Sequence, residues 1–210
     1  ELGIEYTRVL SFSAVTLDDP VVLFEGEGRR VERNLYNIRM DEVADMLPGQ
    51  HDYVLMPAYR GDSLHLWRVN ILTGEADIVE RGNPRTAHWF TGPDGRAVMR
   101  EDVTSRGRRV SVYTRNGNSS RWRRSATFRT NELSAATPEF EWAGASDDPN
   151  LIYVVARPGE GGRSGVYLYD TESGEYAGTV GLHDRVDING TLIHPRTGRY
   201  LGYAYIEDRL

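Results

Sequence analysis

The sequence predicts an all-β protein, built as a partial β-propeller of four-stranded antiparallel blades. Three observations predict it. First, a proline-containing turn followed by an apolar strand recurs along the chain. The prolines stand at 48, 93, 149 and 195, in steps of 45, 56 and 46 residues. A period of roughly 40–50 residues with several strands per unit marks propeller blades. Second, a glycine turn recurs at the end of a strand in two of these units. Leu72-Thr73-Gly74-Glu75 is matched by Glu172-Ser173-Gly174-Glu175. Third, no stretch sustains the spacing of apolar residues that a helix needs. A sandwich or barrel is the rival architecture; the repeated turn chemistry favours the propeller.

The best-defined unit is AHWFTGPDGRAVMREDVTSRGRRVSVYT, residues 87–114. It reads as strand, tight turn, strand, loop, strand. In the turn Gly92-Pro93-Asp94-Gly95, proline presets one backbone angle and the glycines supply positive φ.

The other elements follow in order. Residues 1–41 read as a partial, irregular blade. Residues 9–17 and 21–24 are strand-like, Glu25-Gly26-Glu27-Gly28 is a turn, and alternation resumes over 34–40. Thr16-Leu17-Asp18-Asp19 has the composition of a capping turn. The first complete blade spans 42–82, with strands over 43–47, 53–58, 64–70 and 76–80. The second spans 86–130, with Asn116-Gly117 as its hairpin turn. The third spans 138–182 and includes the strand Gly165-Val166-Tyr167-Leu168-Tyr169-Asp170. A fourth, covering 187–210, stops after its second strand. The inner strands are runs of Val, Ile, Leu and Tyr, which suits sheets covered on both faces. The chain lacks an initiator methionine and begins and ends mid-pattern, so the expectation is a piece of a longer protein. A homodimer through the exposed blade edges is expected of such a piece.

Composition narrows the chemistry. With 39% hydrophobic and 27% charged residues, the 210-residue chain has the balance of a soluble globular protein. The net charge of −6 argues against a nucleic-acid binder. Every one of the 25 basic residues is arginine, a bias that a GC-rich genome explains. Cysteine is absent, which removes disulfides, thiol nucleophiles and thiolate metal sites. No apolar run reaches the roughly 18 residues of a membrane span. Bacterial periplasm and cytoplasm are both compatible.

No nucleophile elbow Gly-x-Ser-x-Gly is present. Ser146 and Ser164 read as turn residues. None of the five histidines has metal-ligand spacing, so neither a metal nor a cofactor is expected. His88, beside Trp89, reads as a satisfied core histidine. His183, Asp184 and Asp187 crowd one loop, which offers a ligand site or simply a polar turn. The sharpest charge feature is residues 106–129, rich in arginine and free of acids. Arg106, Arg108, Arg109, Arg121, Arg123 and Arg124 form a candidate anion or interface patch. If 121–124 is strand, Arg121 and Arg123 share one face, and Trp122 and Arg124 the other. The simpler reading is an outer edge strand made repulsive to block pairing.

Four stretches resemble a known family. Val43-Ala44-Asp45-Met46-Leu47-Pro48-Gly49 through Leu55, then Leu66-Trp67-Arg68-Val69-Asn70-Ile71-Leu72-Thr73-Gly74-Glu75, is similar to the propeller of bacterial prolyl oligopeptidase-family serine peptidases. So are residues 166–175 and Arg196-Thr197-Gly198-Arg199-Tyr200-Leu201-Gly202. The likeness covers roughly residues 35–208, on motifs that many propellers share. It implies a parent whose propeller caps an α/β-hydrolase domain with a Ser-Asp-His triad. The propeller would gate access for peptide substrates and scaffold that domain. No catalytic motif of the family lies in these residues. This chain is therefore expected to be non-catalytic, with the hydrolase domain of its parent as partner. Two alternatives stand beside this: a stand-alone protein-binding scaffold, and an anion or nucleic-acid binder acting through the arginines.

Overall fold

The computed structural model describes residues 7–16, 19–24, 37–104, 106, 109–116, 119–129, 140–159 and 162–207. Among them the protein is all-β, in antiparallel sheets of two to four strands plus one short parallel pair. Among the described residues no helix is long and apolar enough to cross a membrane. The chain divides into two compact units, Glu1–Trp89 and Phe90–Leu210.

The first unit opens with four two-residue strands: β1 (Thr7–Arg8), β2 (Leu10–Ser11), β3 (Val21–Val22) and β4 (Arg39–Met40). β1 pairs in parallel with β4, and β2 pairs with β3 in antiparallel fashion. The strand expected over 9–17 is thus only the pair Leu10–Ser11, followed by a turn at 14–16. The turn at 25–28 lies outside the described residues, as do Leu17 and Asp18 of the capping turn.

Sheet I follows, in the order β5 (Tyr53–Arg60), β6 (Ser63–Asn70), β7 (Ala76–Glu80). The strand expected over 43–47 shrinks to a single bridge, Asp45 to Leu55. The cause is in the sequence. Asp45 and Leu55 exchange both backbone hydrogen bonds. The next such exchange would need an N–H at position 57, and Pro57 has none. Beyond Asp45 the chain turns at Leu47, whose φ is 42° and whose N–H donates to the Asp45 carboxylate at 2.7 Å. The core of this unit gathers Leu23, Phe24, Met40, Val54, Met56, Trp67 and Val69. Phe24 meets Trp67 edge-on at 5.7 Å, and the Trp67 indole donates to the Ala58 carbonyl. Each such side chain contributes about 1.5–3 kcal/mol by leaving water.

Sheet II has the order β11-β10-β9-β8, with β8 (Thr86–Thr91), β9 (Ala97–Val103), β10 (Arg109–Thr114) and β11 (Arg123–Arg129). Gly95 holds the left-handed position of the β8–β9 turn at φ 77°, whereas Gly92 has an ordinary angle. β10 ends at Thr114 and β11 begins at Arg123; Gly117 of the expected Asn-Gly turn lies outside the described residues. Between the two strands the Ser119 N–H donates to the Asn116 carbonyl.

Sheet III has the order β12-β13-β14-β15, with β12 (Phe140–Ala145), β13 (Leu151–Ala156), β14 (Gly165–Asp170) and β15 (Tyr176–Gly181). It packs on sheet II through Val98, Val110, Val112 and Phe128 against Phe140, Ile152, Val154 and Tyr169. The hairpin β16 (Ile188–Ile193) and β17 (Tyr200–Tyr205) forms a separate two-stranded sheet. It docks on β12. The Ala145 N–H donates to the Gly198 carbonyl, and Tyr200 stacks on Tyr153 at 4.7 Å. Gly144 is required there. A Cβ at that position would lie 2.7 Å from the Tyr200 backbone nitrogen.

Candidate functional site

The turns that follow β6 in sheet I and β14 in sheet III place the polar groups that matter most. In sheet I, Asn70 Oδ1 accepts from the N–H groups of Leu72 and Thr73. In sheet III, Asp170 Oδ1 accepts from Glu172 and Ser173. Gly74 and Gly174 follow at φ 75° and 77°, and each N–H donates back to the carbonyl of the capping residue. The two backbone bonds from Glu172 and Ser173, with some attraction from Arg123, hold the Asp170 carboxyl below the usual range. The same arrangement closes the β16–β17 hairpin, where His194 Nδ1 takes the acceptor's place and Gly198 sits at φ 65°.

The arginines of residues 106–129 do not act as one patch. Arg115 is buried; its Nε–H donates to the Ala97 carbonyl at 2.7 Å, and its guanidinium lies over the Trp122 ring at 4.5 Å. Arg100 stacks on the same indole at 5.1 Å and pairs with Asp102 at 2.9 Å. Trp122 therefore meets two guanidinium groups, an attraction of about 0.5–2 kcal/mol per pair. Arg123 reaches the Glu172 and Ser173 carbonyls and so clasps the Asp170 turn. Asn116 adds a bond to the Glu172 carboxylate. Arg106, Arg109, Arg121 and Arg124 are exposed, and Arg108 lies outside the described residues. Arg109 stands directly opposite Arg129, a like-charge pair between β11 and its neighbour β10. The sheet order makes β11 an edge strand. The expected alternation over 121–124 is corrected: β11 begins at Arg123, and the Arg121 N–H instead donates to Ser119 Oγ. Sequence reasoning did not assign Arg115 its buried role. A tryptophan seven residues from an arginine carries no signal of stacking until the loop closes.

The loop at 183–187 divides in the same way. His183 Nδ1 accepts from the Arg185 and Val186 N–H groups, and its ring lies against Tyr205 at 4.2 Å. Asp187 ties two segments together, accepting from the Ser164 N–H at 2.9 Å and pairing with Arg157. Asp184 alone points outward, 91% exposed, with its carboxylate 3.9 Å from His183 Nδ1. The three are neighbours in sequence, but their side chains do not converge on a common point.

The remaining histidines redistribute roles. His88, expected in the core, is exposed, while its neighbour Trp89 is buried and donates to the Leu64 carbonyl. The buried imidazole is His65, whose Nδ1 accepts from the Gly82 N–H at 3.0 Å. Burial, reinforced by Arg81 and Arg60, pushes His65 below the ordinary histidine range. Burial also raises the carboxyls of Glu42 and Glu141, with His88 opposing the shift at Glu42. Among the described residues no three His, Cys, Asp or Glu side chains gather to hold a metal ion.

Comparison with known proteins returns no matching family model, no matching curated protein and no matching solved structure.

Proposed function

We propose that the chain is a non-catalytic run of β-propeller blades that scaffolds and gates the α/β-hydrolase domain of a prolyl oligopeptidase-like serine peptidase. The observation that carries this reading is the repeated sheet. Sheets II and III share a four-stranded antiparallel order, and sheets I and III share the same capped glycine turn. The resemblance of residues 35–208 supplies the link to a peptidase. The polar side chains support a structural role: His65, His183, His194, Asp170 and Asp187 are all engaged in holding backbone N–H groups. Blades around a channel would exclude folded substrates sterically while a covered site does the chemistry.

The test uses the parent protein. A Gly-x-Ser-x-Gly elbow in the same reading frame is expected, with hydrolysis of short peptide anilides and rejection of folded proteins. Removing residues 42–210 should relax that size selection. A parent without a hydrolase domain overturns the reading.

A second reading, a protein-binding scaffold, draws on the exposed apolar side chains of the last hairpin. Leu192, Leu201 and Ile206 are 58%, 62% and 71% exposed. Self-association through β17, whose described ladder partner is β16 alone, is expected of a cut run of blades under the first reading as well. Sedimentation velocity at micromolar concentration tests it, and a strict monomer removes the dimer.

A further inference from the structure

The β16–β17 hairpin is closed at both ends by imidazole. At its turn, His194 Nδ1 accepts from the Arg196 and Thr197 N–H groups, each at 3.2 Å. Ahead of β16, His183 Nδ1 accepts from Arg185 and Val186, also at 3.2 Å each. Both contacts need a lone pair on Nδ1, so both rings carry their proton on Nε2. Sheets I and III place Asn70 and Asp170 at the equivalent turn. An amide and a carboxylate remain acceptors from neutral pH down to about 4. Histidine is the side chain whose ordinary titration falls between about pH 5 and 8.

We propose that His183 and His194 make the β16–β17 hairpin an acid-released element, shut when Nδ1 is bare and loosened when it is protonated. A protonated ring turns an N–H toward two other N–H groups, and both turn contacts at that histidine are lost together. The sign follows from proton count. The closed turn excludes the Nδ1 proton and the open turn binds it, so closure weakens as pH falls. Several charged groups surround the two rings. His183 faces the Asp184 carboxylate at 3.9 Å, the Tyr205 ring, and Arg185, which is itself paired with Glu207. Asp184 gives the protonated ring an acceptor to swing toward. His194 has Arg196 and Arg199 on its own turn, the latter paired with Asp147. The turn that His194 caps also carries the dock onto β12. It supplies the Gly198 carbonyl to the Ala145 N–H and the Arg199 bridge to Ala145. Opening it loosens those two contacts of the hairpin with β12, while the Tyr200–Tyr153 stack and the Asn70 and Asp170 turns remain.

The test is amide hydrogen exchange on the whole chain near pH 8 and near pH 5, corrected for intrinsic rates. Protection at Arg185, Val186, Arg196 and Thr197 should fall about ten-fold or more at the acid condition, as expected when a proton competes for each acceptor. Protection at Leu72, Thr73, Glu172 and Ser173 should hold. A His183→Asn, His194→Asn double variant borrows the Asn70 cap, so it should keep its protection at both conditions. Unchanged protection of the wild-type hairpin, an equal fall at all three turns, or the same fall in the double variant would each overturn the proposal.

Discussion

Sheets II and III have the same strand order but close the end of their third strand differently. Sheet III spends five residues, 171–175, with Asp170 as cap and Gly174 in the left-handed conformation. Sheet II has Thr114 at the corresponding position. It pairs with Arg123, and Thr114 Oγ1 lies 2.6 Å from Ser125 Oγ. The longer link is held by stacking of Arg100 and Arg115 on Trp122. The two solutions are joined, because Arg123 of sheet II rests on the carbonyls of the sheet III turn. The difference teaches that a short turn is specified by backbone chemistry and a long one by side-chain packing. The first is readable from a few residues; the second is not.

The comparison breaks hardest at Arg115. Arg115→Ala removes a buried charge-assisted bond to the Ala97 carbonyl and one of the two guanidinium contacts on Trp122. Urea unfolding should show a loss of about 2–3 kcal/mol. Arg115→Lys should recover little of it, because lysine lacks the planar fork and the Nε donor. Gly174→Ala comes next. Its left-handed angle and the guanidinium of Arg123 at the would-be Cβ should together cost about 1–2 kcal/mol. A double-mutant cycle with Arg123→Ala should show coupling, and additive effects would mean the clasp is idle. Asp170→Ala should cost about 1 kcal/mol through two lost backbone bonds, and Asp170→Asn less than half of that.

The smallest effects are those of pH. The Asp170 carboxyl is held below its usual 3.8, so its contribution is complete above that value and is lost as pH falls further. The Asp170→Asn variant should flatten that acid limb. His65 sits in the first unit with its range pushed below 6.5, so the neutral ring's contribution is present above 6.5 and lost as pH falls. His65→Asn, followed by thermal unfolding between about pH 7 and 4, should show a shallower slope than wild type.

Much of the fold was legible in the chain itself. Alternating and continuous Val, Ile, Leu and Tyr runs marked β6, β7 and β14 to within a residue or two, because strand periodicity is a local property. Gly74, Gly95 and Gly174 were legible for the same reason: a left-handed residue between strands leaves few choices but glycine. The loss of the strand at 43–47 was not foreseen, although Pro57 stood in plain view. Its missing N–H matters only once the register places Val43 opposite it. The candidate sites were legible as charge and as histidines, but their roles were not. Whether an arginine lies on a surface or under a tryptophan depends on how residues 115–122 fold back. His88 lies at the surface and His65 is buried because burial depends on which face of a strand meets a neighbour.

The sequence by itself determined the all-β class, the repeat and the turns that punctuate it, since these follow from periodicity and from the backbone freedom of individual residues. Only the tertiary structure decided which polar groups hold the fold and which remain at the surface. Burial, stacking and shared hydrogen bonds are properties of pairs brought together by packing, and no single residue carries them.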